Sequence, residues 1–339
     1  MGVDVSIILP CRDEEKSIAI CINSIKDSMK PLNYSYEIVV SDSSKDHSAS
    51  IAKKLGARVI KHNKIGYGNA LLEGFSAASG NIFIMADADN TYNFYEIPNF
   101  LKAIKNSDFV MGSRFKGEIK KGAMPFSHQY LGNPVLSFIL RLFFNTSISD
   151  SHCGFRAIKK KSYEKLKLNT TGMEFASEMI IKALKKGVKI KEIPITYHSR
   201  IGESKMNSLR DGWKHLRFML LFSPMYLFFV PAVLISLFGI FRIFSNQILG
   251  LILLVCGYQI LMLGLFSKTY AITKLGEKDK LVELIINNIS IEKGIIFSII
   301  LLIISFFLNS QILFSIILLI AILSFFNVFF LSILGIGEK

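Results

Sequence analysis

The chain of 339 residues is poor in cysteine, with four: Cys11, Cys21, Cys153 and Cys256. No two of them form a Cys-x-x-Cys pair, which excludes a zinc ribbon and a disulfide framework and favours reduced thiols in a cytosolic compartment. The first residues, MGVDVSIILP, lack a basic leading segment and carry an apolar run too short for a secretory signal, so the first part is expected to stay in the cytoplasm. Zinc-finger spacing and the aromatic signature of RNA-binding modules are missing too. That absence bears on the charge, since 40 Lys and Arg against 26 Asp and Glu give a net +14. Such an excess suits nucleic acid, anionic lipid or a phosphorylated substrate, and the apolar second half favours the last two. Charge becomes sparse after about Arg217, where Leu, Ile and Phe dominate, and this shift marks the principal domain boundary.

Before that boundary, short apolar runs alternate with amphipathic stretches. The pattern predicts strands at Val3–Leu9, Glu37–Ser41, Ala57–Ile60, Ile82–Ala86 and Asp108–Gly112. It predicts helices at Glu14–Met29, Asp46–Leu55, Gly68–Ala78 and Phe94–Lys105. Strands alternating with helices imply a mostly parallel sheet covered on both faces, with ligands beyond the carboxyl ends of its strands. After the boundary, apolar spans lie near Phe218–Phe241, Ile248–Tyr270, Gly294–Leu308 and Ile312–Leu334. A membrane helix needs about 20 apolar residues, so about four spans in two hairpins are expected, the third being short. The long loop between the hairpins carries Lys274, Lys278, Lys280 and Lys293, while the first outer turn carries Arg242. By the positive-inside bias the N-terminal domain then faces the cytoplasm. The expected divisions are 1–199, a juxtamembrane segment 200–217, and 218–339.

Polar clusters follow the apolar runs. The run Ile82-Phe-Ile-Met-Ala ends in Asp87-Ala-Asp89-Asn90, two carboxylates spaced i, i+2. At a strand end these can share one Mg²⁺ or Mn²⁺, which favour oxygen ligands and bridge carboxylates to phosphate oxygens; a solvated turn would use the same residue types. Pro10-Cys-Arg12-Asp-Glu14-Glu15 follows the first run, and Ser41-Asp42-Ser-Ser-Lys-Asp46 the second. Gly66-Tyr-Gly68 opens a helix whose N–H groups suit phosphate. Each cluster also reads as a loop or helix cap, but all fall at or near strand carboxyl ends.

Together, in order, these stretches resemble a family 2 glycosyltransferase of the dolichyl-phosphate sugar synthase group. Further matches are Met111-Gly-Ser-Arg114-Phe, Asp150-Ser-His-Cys-Gly154-Phe-Arg156, Gly172-Met-Glu174-Phe-Ala-Ser-Glu178 and Arg200-Ile-Gly-Glu203-Ser-Lys205. The resemblance covers essentially the whole chain and is nearest to dolichol-phosphate-glucose synthases. It implies a Rossmann-like, nucleotide-sugar-binding domain of GT-A type, followed by α-helical membrane hairpins. It implies that Pro10, Arg12 and Glu14 line the base and ribose pocket, that Asp42 holds the base edge, and that Gly66 and Gly68 admit the nucleotide. Asp87 would touch ribose or metal, and Asp89 would be the principal metal ligand with Asn90 beside it. Many relatives have Asp-Gly where this chain has Ser43-Ser44, and Gln where it has Asn90.

The acceptor side is basic. Arg114 and Arg156 sit in strongly patterned sequence and suit a bidentate grip on phosphate. Lys120, Lys121, His128, Arg200, Lys205, Arg210, Lys214 and Arg217 extend the set, most of these lysines serving equally well as membrane anchors. The stretch around Trp213 reads as an interfacial helix, with Leu216, Phe218 and Met219 toward lipid. Glu174 and Glu178, at i, i+4 on a predicted helix, are candidates for sugar hydroxyls or for groups behind the metal. The activity implied is inverting transfer of a hexose, best matched by glucose from UDP-glucose, to dolichyl or another polyprenyl phosphate. N-acetylglucosamine and mannose are the alternative sugars. A processive polysaccharide synthase is a second reading, disfavoured because Arg210-Asp-Gly-Trp213 replaces the Gln-x-x-Arg-Trp motif. A non-enzymatic nucleotide-sugar-binding scaffold is the third.

Overall fold

A computed structural model describes residues 2–202, 208–223, 225–277, 279, 282–285, 291–307 and 310–335. The chain divides into two compact units, Met1–Met219 and Leu220–Lys339.

The first unit is built on a seven-stranded sheet. Its strands are β1 (Val5–Cys11), β2 (Tyr36–Asp42), β3 (Arg58–Lys61), β4 (Ile82–Met85), β5 (Phe109–Ile119), β6 (Arg156–Lys159) and β7 (Ile190–Tyr197). Its helices are α1 (Ile18–Met29), α2 (Ser48–Lys54), α3 (Tyr67–Ala77), α4 (Ile97–Ile104), α5 (Asn133–Phe144), α6 (Lys160–Leu166) and α7 (Phe175–Lys185). The strand order is β3-β2-β1-β4-β6-β5-β7. β1 pairs in parallel with both β2 and β4, so the chain winds one way through β2 and β3 and then returns to the other side of β1. That reversal opens a crevice at the carboxyl ends of β1 and β4, where such sheets bind ligands. β6 runs antiparallel to β4 and β5, because the chain leaves the long β5 through α5 and re-enters between its neighbours in the opposite sense.

The central strands are apolar runs because both faces are covered. Val5, Ile7, Ile8 and Leu9 of β1 are fully buried, with Ile18, Ile22 and Ile25 of α1. Each such side chain contributes roughly 1.5–3 kcal/mol on burial. Phe100 of α4 stacks on Phe155 with ring centroids 4.2 Å apart. Cys11, Cys21 and Cys153 are buried and unbridged, and burial pushes each thiol up to about 12. Cys256 is exposed.

α8 (Ser208–Phe222) crosses the division between the units. The second unit continues with α9 (Tyr226–Ile243), α10 (Gln247–Leu275), α11 (Ile291–Phe306) and α12 (Gln311–Gly335). Among the described residues, α9, α10 and α12 are long and apolar enough to cross a membrane. α11 has 16 residues. The span expected at Phe218–Phe241 is therefore two helices, since α8 ends at Phe222 and α9 starts at Tyr226. Pro224 lies between them in the sequence, and proline disfavours helical backbone in the residue before it.

α9 and α10 approach closely along Gly250, Gly257 and Gly264. A Cβ on Gly257 would lie 2.2 Å from Ser236 Oγ and 2.8 Å from the Ala232 carbonyl oxygen. Lys268 of α10 is buried and pairs with Glu277 at 2.7 Å. A cation at this depth is tolerated only with such a partner.

Candidate active site

One side of the crevice, where the sequence places the base, is set by β1 and β2. Asp42 ends β2 and is 1% exposed. Its Oδ1 accepts a long hydrogen bond from the Ser44 N–H at 3.4 Å, and its Oδ2 is buried without a hydrogen-bond partner. A buried carboxylate oxygen left unpaired costs desolvation energy, so it implies a donor to come. Pro10 lies in β1, Arg12 follows it on the surface, and the Glu14 N–H donates to Ser48 Oγ.

Asp87 and Asp89 follow β4. Asp87 Oδ1 is buried and unpaired, and the carboxyl is pushed up to about 7 by burial and by the charge of Asp89. The Tyr67 hydroxyl, which hydrogen-bonds it, and the cations Arg114 and Arg200 act in the opposite sense. Asp89 Oδ1 accepts from Thr91 N and Oγ1 at 3.1 and 2.6 Å, which fixes the carboxylate in an Asx turn. Asn90 turns the chain at φ 64°. An unpaired buried carboxylate oxygen beside a second carboxylate fits a divalent cation with oxygen preference, whose charge would reverse the rise at Asp87. Arg200 bridges this site to the base side. Its Nη2 is 3.1 Å from Glu14 Oε1, its Nη1 is 3.8 Å from Asp89 Oδ2, and the Ile201 N–H donates to the Asp89 carbonyl. Arg200 thus stands between Glu14 and Asp89, whereas the sequence pattern puts it on the lipid side.

Arg114 and Arg156, alike in the sequence, differ in space. Arg114 is held by Asp150 in a two-pronged pair, Nε to Oδ2 and Nη2 to Oδ1, each 2.7 Å, and its own N–H donates to the same carboxylate. Burial works against the charge, but the Asp150 carboxylate overcomes it and raises the Arg114 guanidinium above its ordinary range. Arg156 is fully buried and donates to the carbonyls of Cys153, Ala176 and Ser151 at 2.8–2.9 Å. The expectation that Arg156 grips phosphate is corrected: its donors face the backbone, and it ties the 151–153 loop to α7.

Gly66 and Gly68 also serve a different neighbour. The Gly68 and Asn69 N–H groups at the start of α3 donate to the Gly172 and Thr171 carbonyls. A Cβ on Gly66 would fall 2.2 Å from the Thr171 oxygen, and one on Gly68 2.3 Å from that of Thr170. The close approach at both glycines is made by the 170–172 backbone. Glu178 secures that loop. It is fully buried, pairs with Lys182 at 2.7 Å and accepts from Asn169 N, Thr170 N and Thr170 Oγ1. Glu178 is therefore a clamp on backbone rather than a sugar contact. Glu174, just before α7, keeps Oε2 buried and unpaired.

The remaining basic residues are dispersed. Lys120 pairs with Glu118, Lys121 is exposed, and His128 opens a short π-helical turn before α5. On α8, Lys214 lies 3.6 Å from Asp211, Arg217 is exposed, and Trp213 is 59% exposed. Phe218 and Met219 are buried in the protein, against the expectation that they face lipid. Lys205 lies outside the described residues. Sequence reasoning missed Asp150, the partner of Arg114, and the buried His215 of α8. A carboxylate within a patterned stretch was the only available signal for the first.

A mostly parallel sheet with a carboxylate beyond β2 and a carboxylate pair beyond β4 is the Rossmann-like arrangement of a GT-A-type fold. The family described as glycosyl transferase family 2 matches residues 6–167. The low-salt glycan biosynthesis hexosyltransferase Agl6 of Haloferax volcanii is 38% identical over 307 residues, 86% of this chain and 74% of that protein. The dolichol-phosphate mannosyltransferase of Pyrococcus furiosus is 32% identical over 210 residues, 60% of this chain and 59% of its own length. A dolichyl-phosphate hexose transferase of Haloferax volcanii is 29% identical over 62% of this chain and 89% of that protein. The glucosyl-3-phosphoglycerate synthase of Mycobacterium tuberculosis, solved with Mn²⁺ and UDP, shares the fold at a TM-score of 0.51 and 20% identity, covering 66% of this chain and 80% of that one. The chain belongs to glycosyl transferase family 2 and is a glycosyltransferase resembling the dolichyl-phosphate sugar synthases.

Proposed function

We propose that this chain transfers a hexosyl group from a nucleotide sugar, bound with Mg²⁺ or Mn²⁺ at Asp87 and Asp89, to dolichyl or another polyprenyl phosphate. The observation that carries the donor half is the unpaired, buried Oδ1 of Asp87 beside Asp89, in the same crevice as the unpaired Oδ2 of Asp42. The acceptor half is supported by the names of the relatives and by the three helices long enough to cross a membrane. We assign UDP-glucose as donor, residues 218–339 as a multi-pass membrane domain, 200–217 as a juxtamembrane segment, and 1–199 as a cytoplasmic catalytic domain.

A phosphate monoester has a second pKa near ~6, so at neutral pH it is largely dianionic and needs no general base. One of its oxygens attacks the anomeric carbon as the bond from that carbon to the nucleoside diphosphate breaks, inverting the centre. A bound divalent cation supplies neutralisation of the departing diphosphate. The chain's residues provide alignment and charge: Asp42 fixes the base, Arg200 balances Asp89 and Glu14, and Arg114, its fork held by Asp150, supplies positive charge on the acceptor side.

The test is the purified full chain with polyprenyl phosphate, Mn²⁺ or Mg²⁺, and UDP-glucose, GDP-mannose or UDP-N-acetylglucosamine in parallel, read by product mass. A lipid-phosphate hexose is expected, and Asp89→Ala should lower turnover by about 10²–10³-fold. Lack of product with every donor would refute the reading, and full activity in Asp89→Ala would refute the role of the carboxylate pair.

A further inference from the structure

A chain of buried and half-buried polar groups joins α8 to the Asp150 carboxylate without a hydrogen bond to Asp42, Asp87 or Asp89. It begins at His215, in the middle of α8 and 4% exposed, while Trp213 two residues earlier points outward. His215 Nδ1 lies 2.8 Å from Ser177 Oγ on α7. Its ring meets that of His152 edge to face, with centroids 4.2 Å apart and planes at 86°. His152 Nδ1 lies 2.8 Å from Ser151 Oγ, which is 3.0 Å from Ser137 Oγ on α5. The Ser151 N–H donates to the same Ser137 oxygen at 3.1 Å. Ser151 directly follows Asp150, whose carboxylate holds the Arg114 guanidinium by two bonds of 2.7 Å.

Two imidazoles packed edge to face, His215 buried and His152 half-buried, are a costly filling where apolar side chains would pack as well. Burial keeps both neutral: it depresses His152 well below the usual range and His215 to about 4. A neutral imidazole offers one donor and one acceptor at fixed angles, so each ring is oriented as well as packed. His152 Nε2 is buried and has no hydrogen-bond partner. Its ring is therefore oriented by Ser151 on one side and by the face of His215 on the other. The rest of the loop is tied to the sheet, through Glu192 of β7 to the Asp150 N–H and through Arg156 to the Ser151 carbonyl. His215 is what references the same loop to α8.

We propose that His215 is a positioning residue: through His152 and Ser151 it holds Asp150, and with it Arg114, in register with α8. This deepens the acceptor side of the proposed reaction and rests on that reading. α8 leads into the apolar unit, so the guanidinium on the acceptor side takes its position from the helix that precedes the membrane spans. The crevice built from β1, β2 and β4 shares none of these hydrogen bonds, and Arg114 acts on Asp87 there only through its charge.

The experiment uses the full-length protein in lipid nanodiscs. His215→Leu should raise KM for polyprenyl phosphate about tenfold, the effect of one hydrogen bond of ordinary strength, and lower kcat. The Kd for UDP with Mn²⁺ should stay within about twofold of the parent. His215→Asn keeps a polar atom toward Ser177 and should recover most of the loss. In an Arg114→Lys background, His215→Leu should cost much less than it does alone, because both changes act on one contact. Multiplying losses in the double variant, or nucleotide binding lost in step with acceptor KM, would overturn the proposal. Should His215→Leu fail to fold, Ser177→Ala reads the same chain, with a smaller rise in acceptor KM expected and an unchanged KM counting against. Wild-type protein that transfers to no lipid phosphate defeats the proposed function itself, whereas active wild type with indifferent His215 variants defeats the positioning role alone.

Discussion

The places of Asp42 and of the Asp87–Asp89 pair were legible in the sequence, because each follows a run of apolar residues and a parallel strand delivers its next polar residues to the carboxyl edge of the sheet. Arg156 was misleading for a related reason. A guanidinium in a patterned stretch reads the same whether its fork faces solvent or backbone, and only the fold shows three carbonyls around it. Its removal should therefore act on stability before chemistry. Arg156→Met would orphan the Ser151, Cys153 and Ala176 carbonyls, at about 1–3 kcal/mol for each buried group. The expected outcome is a marked loss in melting temperature, followed by differential scanning fluorimetry. Arg156→Lys should rescue little, since one ammonium on a flexible stem cannot reach carbonyls in three directions.

At the scale of elements, boundaries followed local pattern and partners did not. α3 begins where two glycines and a helical period predict it, but what fills its first turn is the 170–172 backbone, about a hundred residues on. Nothing local announces that contact. The glycines of α10 are a similar case. Gly250, Gly257 and Gly264 recur every seven residues, which is a legible period, but the sequence reading took the span as uniformly apolar. In space they form the seam that α9 enters, the kind of small-residue contact on which helix association in lipid depends. Gly257→Leu should force the α9–α10 hairpin apart at a cost of about 1–3 kcal/mol. A lower midpoint of unfolding in mild detergent, with the circular dichroism of the helices retained before the transition, is the expected result.

Across the whole molecule, the alternation of strands and helices sufficed for a doubly wound sheet and for the crevice beside β1. It did not reveal the antiparallel β6, whose direction depends on how the chain returns from α5. The distribution of thiols has a consequence of a different kind. Cys11, Cys21 and Cys153 are shut inside the first unit, where burial pushes each thiol up to about 12 and so keeps it protonated and unreactive. Cys256, on α10, is exposed on the protein surface. Native protein in detergent should take up one maleimide, and denatured protein four, as counted by intact mass. In a bilayer the same thiol should be shielded from a charged, impermeant reagent and open to a lipid-soluble one. The protein thus carries a single chemical handle on an apolar helix, so whether and how deeply that helix enters a bilayer can be gauged without first engineering the other cysteines away.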